Sequence, residues 1–252
     1  AFSLNKNSAK LQQSLNRLSS GKKITTPADD AGGLAVSMKL SSAITRNRSV
    51  ISNIQNALSF AEVQDGALTS AATIVNRMAE LKSMSMDVLK SSSDKANYNV
   101  EFQALQTQLH SIASEAFNGV TLFSSESSKT FGTHAVNVTI FTSDLGANGS
   151  TVSLGKALLV SAVTFTSGTS TAAAAAGATG SKSLAVASGG SKVSVGELGV
   201  SFFTKALENI ATLRATNAAG MARLQLAEDH ARLTMANLEA ANSRIMDVDV
   251  AE

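Results

Sequence analysis

The sequence predicts a mainly α-helical protein with a β-rich insertion: an elongated antiparallel helical bundle, or rod, made from the two ends of the chain plus a small β subdomain. The 252 residues include one proline, Pro27, so little in the chain forbids helix. Apolar residues recur every seven positions near both ends. Composition then divides the chain into an N-terminal helical part of the rod (1–123), a β-rich insertion that we expect to be variable and exposed at the surface (124–199), and a C-terminal helix that completes the rod (200–252).

The longest predicted helix begins near Leu34, because from there to Asn118 the chain has no proline and one glycine, Gly66. Eleven of thirteen heptad-spaced positions are apolar, as a helical seam requires. The two sets are Ile44, Ile51, Leu58, Asp65, Ala72, Ala79, Met86 and Ile54, Ala61, Leu68, Val75, Lys82, Leu89. A helix over 34–90 would be about 85 Å long, which favours a rod over a globule.

A second helix is predicted after the segment 91–97, with Asp94 as its N-cap. Asn118 and Gly119 are predicted to end it, since glycine accepts the left-handed conformation of a helix exit. Its apolar residues alternate in steps of three and four: Phe102, Leu105, Leu109, Ile112 and Ala116.

The C-terminal region repeats the heptad pattern, and Arg214, Glu228 and Asn242 interrupt its set of partner positions. Its seam residues are Phe203, Ile210, Asn217, Leu224, Ala231, Leu238 and Ile245, with partners Leu207, Met221 and Met235. A helix with one apolar stripe cannot bury it alone. We therefore expect the N- and C-terminal helices to pack lengthwise.

The middle of the chain favours strands and turns. Residues 136–141 alternate in polarity, 158–165 form an apolar β-branched run, and 192–200 alternate again. The segment GANGS at 146–150 predicts a turn. The low-complexity stretch 167–191 predicts an exposed, mobile excursion.

Composition argues against several classes of function. The net charge of +2 is balanced and its cations are scattered, which argues against nucleic acid as a partner. No cysteine is present, and no apolar run is long enough to insert into a membrane. The N-terminus lacks the pattern of a cleaved signal peptide and does not start with Met, so we expect a processed or shortened chain.

Three segments together resemble the bacterial flagellins. LNRLSSGKKITTPADDAGGLAVS (15–37) is similar to the N-terminal hallmark of that family, FNGVTLF (117–123) to its helix-to-strand exit, and ANSRIMDVDVAE (241–252) to the start of its C-terminal signature. The hallmark also has a physical interpretation. Gly21 stops one helix, and Asp29 or Asp30 caps the next, beside two glycines that permit close approach.

The resemblance implies a structural subunit of the bacterial flagellar filament, exported without a cleaved signal peptide and located outside the cell. Its implied partners are other flagellin subunits, an export chaperone and the filament cap. The family continues beyond both ends of this sequence, so we expect the polymerising segments to be truncated. The resemblance also implies recognition by a toll-like innate immune receptor through Arg77, Leu81 and Glu101. The alternative for these residues is packing within the bundle or filament.

No catalytic, cofactor or metal site is predicted. His110, His134 and His230 have no neighbours at metal-ligand spacing, and Gly149 to Lys156 does not match a phosphate-binding loop. The alternative function is a cell-surface receptor or adhesin for anionic polysaccharide, suggested by the pI of about 8.9 and the Ser/Thr-rich insertion.

Overall fold

A computed structural model describes residues 2–124, 131, 136–166 and 180–247. It confirms a mostly helical protein with small sheets in the middle of the chain. The helices are α1 (Phe2–Ser20), α2 (Ala31–Ser85), α3 (Ser92–Ala113), α4 (Leu159–Ala162) and α5 (Val200–Met246). The strands are β1 (Ala116–Phe117), β2 (Val120–Thr121), β3 (Val136–Phe141), β4 (Thr151–Lys156), β5 (Thr164–Phe165) and β6 (Lys182–Ser183).

The strands pair as β1–β2, β3–β4 and β5–β6. By its internal contacts the chain forms two compact units. The first contains Ala1–Gln55, Phe141–Thr151 and Leu226–Glu252, and the second contains Asn56–Ile140 and Val152–Gln225. Helices α2 and α5 therefore contribute residues to both units.

The buried seam of α2 follows a heptad register that differs by one residue from part of the prediction. Ile54, Ala61, Leu68 and Val75 are fully buried, as expected. Their partners are Val50, Ala57, Gln64, Ala71 and Met78, one residue before the predicted set. The predicted positions 58, 65, 72 and 79 are half-exposed, and Met86 and Leu89 are exposed. A heptad seam alternates steps of three and four residues. Both the predicted and the observed partner positions lie three or four residues from the shared set at 54, 61, 68 and 75, so the apolar pattern alone could not distinguish the two registers.

The seam of α5 agrees with the prediction over most of its length. Phe203, Ile210, Asn217, Leu224 and Ala231 are all buried. Leu238 and Ile245 are half-buried, as are the partner positions Leu207, Met221 and Met235.

Within the first unit, polar pairs join α2 to α5 in antiparallel order. Ser37 donates to Asn242 at 2.7 Å, Arg48 to Glu239 at 2.8 Å and Gln55 to Glu228 at 2.9 Å. The turn between β3 and β4 is joined to α2 by Arg46 and Asp144, 3.0 Å apart. The predicted lengthwise packing is thus present in this unit.

The second unit has an aromatic core where α3, α5 and β5 meet. Phe102 and Phe203 pack edge to face with ring centroids 6.0 Å apart, and the Phe165 and Phe202 centroids are 4.3 Å apart. All four rings are fully buried. Four of the chain's ten phenylalanines are therefore concentrated in one place.

Two predictions about the ends of α3 are wrong. Its N-cap is Ser91, and Asp94 is the third helical residue of a capping box, accepting hydrogen bonds from the Ser91 backbone and hydroxyl. The helix ends at Ala113. Asn118 and Gly119 instead form the two-residue turn between β1 and β2, both with positive φ, as a tight hairpin turn requires.

The middle of the chain contains less strand than predicted. Strand β3 and the turn at 146–150 are confirmed. Residues 158–165 contain the short helix α4 followed by the two-residue strand β5, and 192–200 hold a 3-10 turn before α5 starts. Both runs are buried against helices, which favours compact turns over an extended ladder. Of the predicted excursion, 167–179 lie outside the described residues, whereas Leu184 and Ala185 are buried.

Candidate functional site

The hallmark loop is built around the carboxylate of Asp29. Helix α1 ends at Ser20, and Gly21 has φ +66°, as its predicted stop requires. Asp29 accepts hydrogen bonds from the backbone N–H groups of Thr25 and Thr26, both at 3.0 Å. These bonds, led by that from Thr26, hold the pKa of Asp29 well below its usual range. The loop is therefore organised by one ionised side chain.

Asp30 performs the predicted capping of α2. Its carboxylate accepts from the backbone N–H of Gly33 at 2.8 Å, at the positive end of the helix dipole. A Cβ at Gly33 would lie 2.5 Å from that carboxylate and 2.8 Å from the Ile24 side chain. Only glycine fits this approach without displacing the cap.

In the second unit, buried amide side chains join the helices to the middle segments. Gln106 is fully buried on α3, and it both donates to Val193 O and accepts from Val193 N at 3.2 Å. Asn209 on α5 donates to Ala162 O at 2.8 Å. Gln64 on α2 donates to Leu122 O at 2.6 Å. A buried amide bonded to backbone fixes one alignment of its neighbours, because any slip leaves polar groups unpaired.

Contacts between α2 and α5 in this unit follow the same principle. Asn217 donates to Ala61 O at 2.7 Å across the seam. One turn along, Arg214 makes two hydrogen bonds of 2.9 Å to the carboxylate of Asp65. This hydrogen bonding lowers the pKa of Asp65 and raises that of Arg214. The residues that interrupt the apolar pattern thus set the alignment of the two helices.

Two of the three predicted receptor-contact residues meet on the surface. Arg77 on α2 donates from Nε to Glu101 Oε1 at 2.7 Å and from Nη2 to Oε2 at 3.2 Å. A third bond runs from Nη1 to Glu80 at 2.9 Å. Hydrogen bonding to Glu101 and then to Glu80 raises the pKa of Arg77. The side chains of Arg77 and Glu101 are 45% and 43% exposed, so a partner could contact this α2–α3 pair.

The third residue, Leu81, lies on α2 one turn after Arg77 but is fully buried. Its side chain belongs to the core of the second unit. Any effect of Leu81 on a receptor would therefore act through the position of α2. The receptor contact itself stays a prediction for all three residues.

No metal-binding group is found in the part of the chain that the structure describes, where three or more His, Asp or Glu side chains never converge. His110 is half-buried on α3, and His230 is exposed on α5. His134 lies outside the described residues. Among the described helices none is long and apolar enough to cross a membrane.

Comparison with known proteins assigns the fold to a family. A family model described as the bacterial flagellin N-terminal helical region matches residues 2–128, half of the chain. The Treponema phagedenis flagellar filament 33 kDa core protein is 30% identical over 244 residues, which cover 96% of this chain and 80% of that protein. The chain belongs to the flagellin family. Similar coverage is found with the 30.7 kDa core protein of Treponema maltophilum, at 30% identity, 97% of this chain and 81% of that protein.

A flagellin of Listeria monocytogenes is 29% identical over 249 residues, covering 98% of this chain and 82% of that protein. These matches extend through the middle of the chain and α5, which the family model does not reach.

The sequence analysis did not predict the roles of the buried amides Gln64, Gln106 and Asn209. The correct seam register would have revealed Gln64, because it lies on the same heptad positions as the buried residues Val50 and Ala57.

Proposed function

We infer that the chain is a structural subunit of the bacterial flagellar filament. The observation that carries this conclusion is the match, over nearly the full chain, to proteins named as flagellar filament core proteins. The long helices α2 and α5, aligned by polar contacts within each unit, supply stiff surfaces through which copies can stack. The alternative of a polysaccharide receptor or adhesin receives no support from these relatives.

The mechanism we propose is assembly by surface contact, with no bond made or broken by the chain. The flagellin family is structural, and we extend that role to this member as a non-enzymatic component that works outside the cell. We also propose that the middle region, residues 124–199, faces solvent in the assembled filament on the side away from the helices, since Phe165, Leu184 and Val193 are buried in the fold. Support comes from the composition of that region, which is rich in Ser, Thr, Gly and Ala.

A gene deletion tests the filament role. Cells that lack the gene are expected to carry fewer flagellar filaments, or filaments of changed protein composition, in electron micrographs of the cells and gels of the sheared filaments. They are also expected to spread less on soft agar. Restoring the gene should restore both. Cells that keep a full set of filaments of unchanged protein composition after the deletion would contradict the proposal.

Further partners follow from family membership and are also proposals: an export chaperone, the filament cap and a toll-like innate immune receptor. For the receptor, we propose contact at the exposed Arg77–Glu101 pair, with Leu81 supporting the position of α2.

The substitution Arg77→Ala tests this contact and should strongly reduce activation of receptor-bearing reporter cells. Arg48→Ala is the matched control, because Arg48 is also an exposed, ion-paired arginine on α2. Equal activation by both variants would contradict the receptor contact.

A further inference from the structure

The turn between α2 and α3 exposes apolar side chains to an unusual degree. Val88 and Leu89 are each 90% exposed, and Met86 is 58% exposed. The turn is nonetheless ordered by hydrogen bonds: Leu89 N donates to Asp87 Oδ1 at 2.9 Å, and Ser91 N donates to Asp94 at 3.0 Å. Clustered exposed apolar side chains are a common feature of surfaces that bind a partner, so this turn is a candidate for such a surface. We call residues 86–89 the apolar turn.

A groove lies elsewhere in the same unit, between α2 and α3. It has a volume of about 710 Å³ and is open to solvent. A Cβ added at Gly66 would meet no atom within 4 Å, so the missing side chain leaves free space on this face. The lining is mostly small or apolar, and includes Val63, Gly66, Ala67, Ser70, Ile74 and Ile112. We call it the Gly66 groove.

The apolar turn of one chain cannot fill that chain's own groove. Both belong to the second unit, and the continuous helix α2 separates Gly66 from its end at Ser85 by roughly 28 Å. Two complementary surfaces at different places on one molecule produce a head-to-tail contact between copies. Such a contact propagates into an open helical array unless the rotation closes a ring.

The charges around the two surfaces are complementary. Residues 56–76 and 104–116, the helix segments that form the groove, include no Lys or Arg, and they carry Glu62 and Glu115 in addition to Asp65, which is paired with Arg214. The turn is flanked by Lys82, Lys90 and Lys95. Its two acids are already engaged, Asp87 by the turn and Asp94 by the helix cap. Complementary rims of this kind select a partner and fix its orientation.

We propose that the apolar turn of one copy docks into the Gly66 groove of a second copy of this chain in the filament. The proposal rests on the filament function and names one of its contacts. The apolar side chains at 88 and 89 occupy the space beside Gly66, and Lys90 faces the carboxylate of Glu115. The contact is directional, so each copy uses its turn on one neighbour and its groove on another.

Cysteine crosslinking in assembled filaments tests the contact, because the chain has no cysteine of its own. Filaments from cells that produce the double variant Leu89→Cys/Ser70→Cys are treated with a short thiol-specific crosslinker and run on a denaturing gel. We expect a ladder of multimers. Within one chain the two sites are separated by more than about 20 Å of helix, too far for a short crosslinker.

Single variants provide the controls. Filaments that contain both Leu89→Cys and Ser70→Cys copies should give dimers and no longer products. Filaments of either single variant alone should give monomers. Dimers from Leu89→Cys alone would overturn the directional contact, as would a double variant that forms normal filaments but stays monomeric on the gel. That second result would leave the filament function intact, so the two failures are distinguishable.

A filled groove gives a second, independent test. Gly66→Leu places a side chain where the neighbour's turn would sit, and Gly66→Ala is the matched control with a smaller one. We expect the Leu variant to be folded and exported, with pelletable filament lower by about tenfold or more. The Ala variant should assemble better than the Leu variant. Equal filament yields from the two variants would overturn the proposal.

Discussion

Single buried amides hold the middle segments of the second unit in place, and Gln106 does so with both the nitrogen and the oxygen of its side-chain amide. Replacing it by Met keeps the volume but leaves Val193 N and O without their partners in the core. We expect Gln106→Met to lower the free energy of unfolding by about 2–4 kcal/mol in urea titrations. Gln108→Met, at an exposed position of the same helix, should change it little. Equal effects of the two substitutions would show that the bonds to Val193 do not stabilise the fold.

Two helical glycines on α2 should respond to alanine in opposite directions. At Gly66 a methyl group meets open space, so Gly66→Ala should stabilise the chain by about 0.5–1 kcal/mol through helix propensity. At Gly33 it meets the capping carboxylate of Asp30 and the buried Ile24. Displacing that cap should make Gly33→Ala destabilising by about 1 kcal/mol. Thermal denaturation of both variants measures the signs, and equal signs would contradict the close approach at Gly33.

At the scale of elements, the register of the α2 seam decides which alanine faces the core. Ala71 is fully buried, whereas the adjacent Ala72 is half-exposed. Ala71→Leu should therefore overpack the seam and cost about 1–3 kcal/mol. Ala72→Leu should stay within about 0.5 kcal/mol of the unsubstituted chain. Chemical denaturation that ranked the two the other way would restore the heptad register predicted from the sequence.

The ion pair between α2 and α5 makes part of the stability pH-dependent. The pKa of Asp65 is lowered in the folded chain, so its contribution is present above the ordinary carboxylate range and is lost as pH falls through the folded value. Asp65→Asn should cost about 0.5–1 kcal/mol at neutral pH, and the difference should shrink in acid.

The background variant Arg214→Met provides the control for this pair. Without the guanidinium, Asp65→Asn should cost almost nothing at neutral pH. An equal cost of Asp65→Asn with and without Arg214 would show that the hydrogen bonds between them contribute no coupling energy.

Helices were the easiest elements to predict, because heptad repeats extend over dozens of residues and the single proline precedes α2. Local alternatives were harder. Ser91 and Asp94 are both good capping residues, and only the observed hydrogen bonds show that Ser91 is the N-cap and Asp94 the third helical residue. Asn118 and Gly119 suit a helix exit and a hairpin turn equally well. The run 158–165 is apolar enough for a strand, but packing against the helices makes it a short helix followed by β5.

At the scale of the whole molecule, the family was predictable because three specific segments occur in the right order around a variable middle. The surfaces that meet other molecules were less predictable. Leu81 shares a helix face with Arg77 by spacing alone, yet its side chain is part of the core. Conversely, Val88 and Leu89 are exposed because α2 ends at Ser85, whereas the heptad pattern predicted that the helix continues to Leu89. Burial is decided by neighbours that are distant in sequence.

The most direct measurement of the central claim is immunogold electron microscopy of filaments sheared from cells that produce this chain, with antibodies raised against it. A filament subunit should be labelled along the whole length of the filament, with label lost from cells that lack the gene. Unlabelled filaments, with gold confined to the cell surface, would contradict the filament role and revive the surface-receptor alternative.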